Sequence, residues 1–173
     1  MPDARRGTVI GSREAYSTCG GEGPFTCEMF GGEAAALRDA GGEYGAATGR
    51  PRRVGGFDVV ASRYGVKMQG CTSIALTKLD VRSYLDKIPV CVAYDIDGTV
   101  TQEMPLTQSD FHHAVPVSEE LPGRRADISE VRRFADLPRA AQDSVLRIEE
   151  LARCPLSAIS VGPGREPTLP RHA

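Results

Sequence analysis

Apolar residues in this chain gather in short runs, separated by stretches in which they recur with helical spacing. The short runs, rich in Val, Ile and Leu, predict strands at residues 72–77, 90–96 and 156–161. Helical spacing and good helix formers predict helices at residues 31–40, 57–68 and about 137–152. This alternation of helices and strands predicts an α/β or α+β fold, with chemistry expected on the loops at the strand ends.

Turn and cap residues indicate where several of these elements begin and end. Asp136 is predicted to cap the last helix, with Pro138 in its first turn. The Asp-Gly pair at residues 97–98 favours a type I′ turn and predicts a hairpin after the second strand. Residues 105–135 are polar and contain Pro and Gly, so we expect a long connection there.

Composition and charge limit the classes of function that this chain can have. With 173 residues, of which 40% are hydrophobic, the chain is long enough for one domain with a substantial core. A net charge of −2 provides no basic surface for nucleic acid or an anionic membrane. No apolar stretch approaches the length of a membrane span. We therefore expect a soluble, cytoplasmic protein whose partners are neither nucleic acids nor membranes.

The cysteines and histidines do not form a recognisable metal-binding motif. The five cysteines are scattered and include no C-x-x-C, so reduced thiols are favoured over disulfides or a zinc site. His112 and His113 are adjacent and point in different directions on a regular element, which favours solvated loop histidines over ligands.

Two charged residues, Lys78 and Asp80, follow the predicted strand at residues 72–77. A carboxylate at a strand end can accept two hydrogen bonds from the N1–H and N2–H₂ edge of guanine, which adenine lacks. The stem of a lysine can cover the face of the base. Lys-x-Asp is thus a plausible guanine-reading segment, while the alternative is an ordinary ion pair at a strand end.

A second candidate site is the stretch AATGRPR at residues 46–52. Small residues and glycine let backbone N–H groups approach a carboxylate closely, and the arginines offer forked donors for carboxylate or phosphate. The alternative is a solvated basic loop.

Several blocks of the sequence together resemble the C-terminal part of adenylosuccinate synthetase. In chain order they are AYSTCGGEGPF, GGEYGAATGRPRR, GGFDVVASRYGVKMQGCTSIALTKLDV, VCVAYDIDG, ISEVRRFADLP and RIEELARCPLSAISVGPGR. The resemblance runs from about Val9 to Arg165, which leaves residues 1–8 as a non-matching extension and residues 166–173 as a divergent tail.

The resemblance implies a GTP-dependent ligase that joins IMP and aspartate in purine nucleotide synthesis. GTP phosphorylates the 6-oxygen of IMP, and the aspartate amine then displaces the phosphate. The implied fold is α/β around a large, mostly parallel sheet. The implied enzyme is a cytoplasmic homodimer that uses GTP as a substrate and requires Mg²⁺.

The resemblance also assigns ligands to three segments. Lys78, Leu79 and Asp80 match the guanine-reading segment for GTP. Ser160, Val161 and Gly162 match the segment that closes over the base, although a glycine turn after a core strand is the alternative. The loop that receives aspartate comprises Ala46, Ala47, Thr48, Gly49, Arg50, Pro51 and Arg52.

Within that loop the resemblance gives finer roles to four residues. Thr48 and Gly49 would lie in the aspartate pocket, Arg50 would touch IMP and Arg52 would approach GTP. Ala47 replaces a usual threonine, which removes a hydroxyl donor from the loop, and Pro51 replaces a common arginine.

The chain departs from the family pattern elsewhere as well. The family's TRVG is Thr-Cys-Gly-Gly at residues 18–21, and Gly56 and Arg124 stand where the family has tryptophan. The last two changes remove large buried side chains, and the chain contains no tryptophan.

The family's phosphate-binding glycine loop, catalytic residues and Mg²⁺ ligands lie in a half that this sequence does not match. We therefore assign no catalytic residue and no metal ligand to this chain. Three hypotheses remain open: a part of the ligase that is inactive alone, a stand-alone guanine-nucleotide-binding module, and a non-catalytic remnant that serves only as an interaction surface.

Overall fold

A computed structural model describes residues 7–171 of the chain. The extension expected at residues 1–8 and the tail expected at 166–173 lie partly outside this range, at residues 1–6 and 172–173. In chain order the strands are β1 (Ile10–Glu14), β2 (Ser17–Cys19), β3 (Arg53–Gly55), β4 (Phe57–Asp58), β5 (Ser73–Thr77), β6 (Lys87–Ile96), β7 (Thr99–Thr101), β8 (Ala114–Pro122), β9 (Leu156–Ser160) and β10 (Thr168–Pro170). The α-helices are α1 (Gly31–Gly41), α2 (Val59–Gln69), α3 (Gln108–His113) and α4 (Arg139–Ala152), and short 3-10 helices span Asp80–Arg82 and Phe134–Asp136.

The central sheet has the strand order β1-β5-β9-β10. β1 and β9 both run parallel to β5, and β10 closes one edge in the antiparallel direction. Because β5 and β9 are parallel neighbours, the residues that follow their carboxyl ends emerge at the same edge of the sheet. The α/β fold class is confirmed.

A second sheet is built around the long strand β6. β8 pairs antiparallel with β6 along nearly its whole length, while the short β4 pairs with it in parallel. β7 completes the predicted hairpin with β6. Asp97 and Gly98 at its turn have φ values of 50° and 84°, as a type I′ turn requires. A separate two-stranded ribbon joins β2 and β3.

The main hydrophobic core lies between the central sheet and α4. Its apolar side chains are almost wholly excluded from solvent, and they include Ile74, Leu76, Val145, Ile148, Leu156 and Ile159. The helical spacing of the buried residues in α4 explains why this stretch was predictable from its pattern. None of the helices between residues 7 and 171 is long and apolar enough to span a membrane.

Three predictions about the elements were wrong in detail. Asp136 does not cap α4: it lies in a preceding 3-10 turn and accepts hydrogen bonds of 2.8 Å from Arg133, and Pro138 occupies the N-cap position. The helix predicted from residue 57 begins at Val59, because Phe57 and Asp58 pair with β6. The connection predicted at residues 105–135 contains α3 and β8.

The two adjacent histidines lie at the end of a helix, and the cysteines, all within residues 7–171, form no disulfide. His112 and His113 end α3 rather than lying in a loop, and both are exposed. His113 Nδ1 lies 3.1 Å from the Asp97 carboxylate. All five cysteines are free thiols.

Candidate functional site

Lys78 lies directly after β5 at the carboxyl edge of the central sheet. Its φ of 56° is in the left-handed region, which a residue with a side chain seldom occupies and which costs about 1–3 kcal/mol. The side chain of Lys78 is half-buried. Its Nζ lies 3.3 Å from the Glu14 carboxylate and also contacts the Glu43 carboxylate. The ammonium also lies 5.6 Å from the centre of the Tyr16 ring, where a cation–π contact is favourable.

The two segments predicted to contact guanine lie side by side. The Leu79 backbone N–H donates a 3.1 Å hydrogen bond to the Ser160 carbonyl, and the Leu79 side chain is buried. Ser160 ends β9, and its hydroxyl donates to the Gly162 carbonyl at 2.7 Å. Val161 is fully buried, and its N–H is held by the Pro167 carbonyl. The parallel neighbours β5 and β9 thus bring both segments to one edge.

Asp80 begins the 3-10 turn after Leu79, and its carbonyl accepts a hydrogen bond from the Ser83 N–H. One carboxylate oxygen, Asp80 Oδ1, is buried and accepts no hydrogen bond from any residue between 7 and 171. Asp80 also lines a surface cavity of about 560 Å³, together with Ser83, Tyr84 and Asp127. A buried acceptor without a partner is costly, so this carboxylate is suited to an added donor.

Arg124, which stands where the family pattern has tryptophan, is part of this site. Its guanidinium donates to the Leu79 carbonyl and, at 3.4 Å, to the Ser83 hydroxyl. Burial lowers the pKa of Arg124 to about 10, although the nearby Asp80 carboxylate opposes the change. Arg124 is therefore still charged at neutral pH and braces the backbone that carries Asp80. Sequence reasoning treated this position only as the loss of an aromatic side chain.

The loop at residues 46–52 forms an exposed turn beside this edge. The Gly45 N–H donates to the Arg50 carbonyl and the Gly49 N–H donates to the Gly45 carbonyl, both at 2.8 Å. Gly49 has a φ of 65°, a conformation that glycine adopts without strain. Residues 46–51 are exposed, whereas Arg52 is half-buried. The small residues thus leave the turn accessible from solvent.

Glu43, which sequence reasoning missed, joins this loop to the Lys78 segment. Its side chain has no exposed surface, and its two carboxylate oxygens accept hydrogen bonds from Tyr16 at 2.5 Å, from Arg52 at 3.0 Å and from Lys78. Its backbone N–H donates to the Arg38 carbonyl and its carbonyl accepts from the Arg52 N–H, both at 2.9 Å. Glu43 is the shared partner of two predicted ligand segments.

The charge state of Glu43 follows from these contacts. Burial alone raises the pKa of the Glu43 carboxyl, but the hydrogen bonds from Lys78 and Tyr16 and the charge of Arg52 outweigh it, so the net pKa is lowered. Burial and the bond to Glu43 raise the pKa of Tyr16, which remains a neutral donor. A buried carboxylate between two cations was not predictable, because its partners are distant in sequence.

Comparisons with known proteins agree on one family. The family model described as adenylosuccinate synthetase matches residues 1–169. The chain is 54% identical over 165 residues to the adenylosuccinate synthetase of Mycobacteroides abscessus, covering 95% of this chain and 38% of that protein. It is 52% identical over 161 residues to the enzyme of Frankia alni, again covering 38% of the relative.

A solved structure supports the same relationship at the level of the fold. The fully ligated adenylosuccinate synthetase of Plasmodium falciparum superposes with a TM-score of 0.90 at 34% sequence identity, over 96% of this chain and 40% of that one. The chain therefore spans about two fifths of the length of the relatives that it matches.

Proposed function

Because this chain belongs to the adenylosuccinate synthetase family, we propose that it supplies the guanine-reading and aspartate-receiving elements for the GTP-dependent ligation of IMP and aspartate. In this proposal Asp80 accepts from the guanine edge, and Lys78 and residues 160–162 flank the base. The loop at residues 46–52 receives aspartate, with Arg50 at IMP and Arg52 near GTP. The family further suggests a cytoplasmic homodimer in purine nucleotide synthesis.

A single observation carries the guanine assignment. The hydrogen bond from the Leu79 N–H to the Ser160 carbonyl joins the two segments, and beside it one oxygen of Asp80 lies buried without a donor between residues 7 and 171. Guanine offers two adjacent donors to such a carboxylate, whereas adenine offers an acceptor at the equivalent ring nitrogen. This difference favours guanine over adenine.

The cluster of candidate metal ligands found between residues 7 and 171 does not suit the Mg²⁺ that the family requires. Between residues 7 and 171, three ligand atoms of Cys, His, Asp or Glu gather within 4.8 Å of one another at Cys27, Asp58 and Cys91. Thiols are poor ligands for this hard cation, which prefers oxygen. We therefore derive no step of the ligation through Mg²⁺ in this chain.

Nucleotide binding by the chain tests the proposal. Without a phosphate cradle we expect GDP to bind no more tightly than about 1 mM, because the base contacts must offset the cost of association. The guanine edge contact should favour GDP over ADP by about 1–3 kcal/mol. Ligand-observed NMR with both nucleotides measures this preference.

Asp80→Asn is the decisive variant. Asparagine places a donor against the donors of guanine, so the preference for GDP should disappear while the fold is retained. Asp127→Asn is the matched control, because Asp127 is an exposed carboxylate that lines the same cavity. A guanine preference that survives Asp80→Asn, or micromolar binding, would show that the base binds elsewhere.

A further inference from the structure

Two thiols and one carboxylate converge in a buried cluster whose residues lie outside the proposed nucleotide-binding segments. The cluster consists of Cys27, Asp58 and Cys91, whose sulfur and oxygen atoms all lie within 4.8 Å of one another. The three residues are 7%, 7% and 1% exposed. They come from distant parts of the chain, so no sequence motif announced them.

Strand pairing brings the three residues together. Asp58 at the end of β4 lies opposite Cys91 of β6 in the parallel register. The backbone carbonyl of Cys27 accepts a hydrogen bond from the Gly56 N–H at 3.2 Å. A Cβ at Gly55 would lie 2.0 Å from this carbonyl oxygen, so glycine is needed for Cys27 to approach. The cluster is thus fixed by backbone contacts on each side.

Hydrogen bonds orient the carboxylate in the manner of a metal ligand. Asp58 Oδ1 accepts from the Ala61 N–H at 2.9 Å, and Oδ2 accepts from the Tyr94 hydroxyl at 2.5 Å. The Cys27 thiol donates a hydrogen bond to the same Oδ2 at 3.1 Å. A bound cation would replace the proton of this hydrogen bond. Outer partners that hold a ligand in one orientation are the usual companions of metal sites.

The cluster lies at the amino-terminal end of α2, and one of its members borders a surface cavity. Asp58 is the N-cap of the 11-residue helix α2, and the positive end of the helix dipole stabilises its carboxylate. The hydrogen bond with Cys91, burial and the Asp58 charge raise the pKa of the Cys27 thiol, so this thiol carries its proton until a cation displaces it. Asp58 and Ala61 also line a cavity of about 410 Å³, so the carboxylate member of the cluster borders a space that solvent can enter.

We propose that Cys27, Asp58 and Cys91 form a binding site for a thiophilic divalent cation such as Zn²⁺. Tetrahedral zinc holds sulfur at about 2.3 Å and oxygen at about 2.0–2.2 Å, so its ligand atoms lie roughly 3.5–4 Å apart. In this cluster the ligand atoms lie within 4.8 Å of one another, and Cys27 Sγ is 3.1 Å from Asp58 Oδ2. On binding, the hydrated ion gives up all but one of its water ligands, and the two thiols release two protons to solvent. Two sulfur–metal bonds and one oxygen–metal bond form, and the retained water completes the coordination. The bound ion joins the segment at Cys27 to β6.

Cobalt titration of the reduced, metal-free chain tests the site. Co²⁺ adopts the same tetrahedral geometry and, when bound by thiolates, shows sulfur-to-metal charge-transfer absorption in the near ultraviolet. We expect one Co²⁺ per chain with this absorption, and its displacement by Zn²⁺. Saturable Co²⁺ binding without the thiolate absorption would overturn the proposal, as would the absence of saturable binding of either ion. Neither outcome depends on the folding of a variant.

Substitution of each proposed ligand tests which side chains bind the metal ion. Cys27→Ser and Cys91→Ser should each weaken Zn²⁺ binding by more than about 100-fold, since losing a ligand exceeds the loss of an outer partner. Asp58→Asn keeps a good helix cap and a neutral oxygen that can still face the ion, so it should weaken binding less, by about 10–100-fold. Cys154→Ser is the matched control, because Cys154 is a buried thiol, 5% exposed, outside the cluster. Unchanged affinity in Cys27→Ser or Asp58→Asn contradicts the assignment, and circular dichroism verifies that each variant is folded.

Discussion

At the scale of single residues, the carboxylate of Glu43 determines how Lys78 and Arg52 are held. Glu43→Gln preserves the shape of the side chain but removes the charge that faces both cations. We expect this variant to lose about 1.5–3 kcal/mol of stability at neutral pH, the usual range for hydrogen bonds to charged groups. Urea unfolding of the two proteins measures the difference, with Glu22→Gln at an exposed carboxylate as the control.

The effect of Glu43 depends on pH in a defined direction. The pKa of Glu43 is lowered in the folded chain, so below its ordinary value of 4.5 the unfolded chain binds the proton more readily. The stabilisation is complete above that value and is lost as the pH falls through the lower folded pKa. The stabilities of wild type and Glu43→Gln should therefore converge in acid. A difference that stays constant from neutral to acid pH would contradict this explanation.

Residue chemistry made part of the site predictable from the sequence. Lys78 and Asp80 were recognisable because charged residues directly after an apolar strand are typical of a ligand-binding loop. In the structure their segment lies at a sheet edge, beside Ser160. Glu43 and Arg124 did not stand out, because their partners are distant in the chain. A buried carboxylate is recognisable only when the cations around it are known.

At the scale of elements, Asp58 joins the start of α2 to β6. Asp58→Ala removes the cap of α2, which costs about 0.5–2 kcal/mol, and deprives the buried Tyr94 hydroxyl of its acceptor, which costs about 1–3 kcal/mol more. Asp58→Asn should recover most of this loss, since its amide oxygen can still accept from Ala61. Thermal unfolding of both variants tests the prediction, and equal losses would mean that charge rather than capping dominates.

The elements that contribute most side chains to the main core were predicted correctly from the sequence. β5, β9 and α4 bury apolar residues in the main core, so their patterns were visible in the sequence. β8 is different, because most of its side chains are exposed and it is held by backbone pairing with β6. Its two prolines, Pro116 and Pro122, suggested a loop, yet an edge strand tolerates them. Backbone pairing leaves no hydrophobic signature in the sequence.

At the scale of the whole molecule, the central sheet has an open side. No other strand between residues 7 and 171 pairs with the outer edge of β1, and Ile10 on this strand is 58% exposed. Open edges with apolar residues promote pairing between chains, so we expect concentration-dependent self-association.

Light scattering after size-exclusion chromatography measures this association. Ile10→Lys should shift the chain toward monomer by placing a charge on the edge. Leu106→Ser, which removes an exposed leucine outside any strand, should change it less. A wild-type chain that remains monomeric at high concentration would rule the prediction out.

We also expect the 173-residue chain, expressed by itself, to form no adenylosuccinate from IMP, aspartate and GTP. Its sequence contains no glycine loop able to cradle phosphates, and phosphoryl transfer depends on such positioning. Chromatographic detection of product tests this, with the full-length Mycobacteroides abscessus relative as the positive control. Product formation above background by the chain would refute the expectation.

The sharing of Glu43 between Arg52 and Lys78 has a further consequence for ligand affinity. A ligand that draws Arg52 toward solvent removes one of the two cations that neutralise Glu43, so the carboxylate attracts Lys78 of the proposed guanine segment more strongly. Free energy is a state function, so a base that alters Lys78 must change the affinity of the loop for its own ligand by the same factor. The proposed guanine segment and the loop at residues 46–52 are therefore expected to show reciprocal cooperativity, transmitted by the Glu43 side chain.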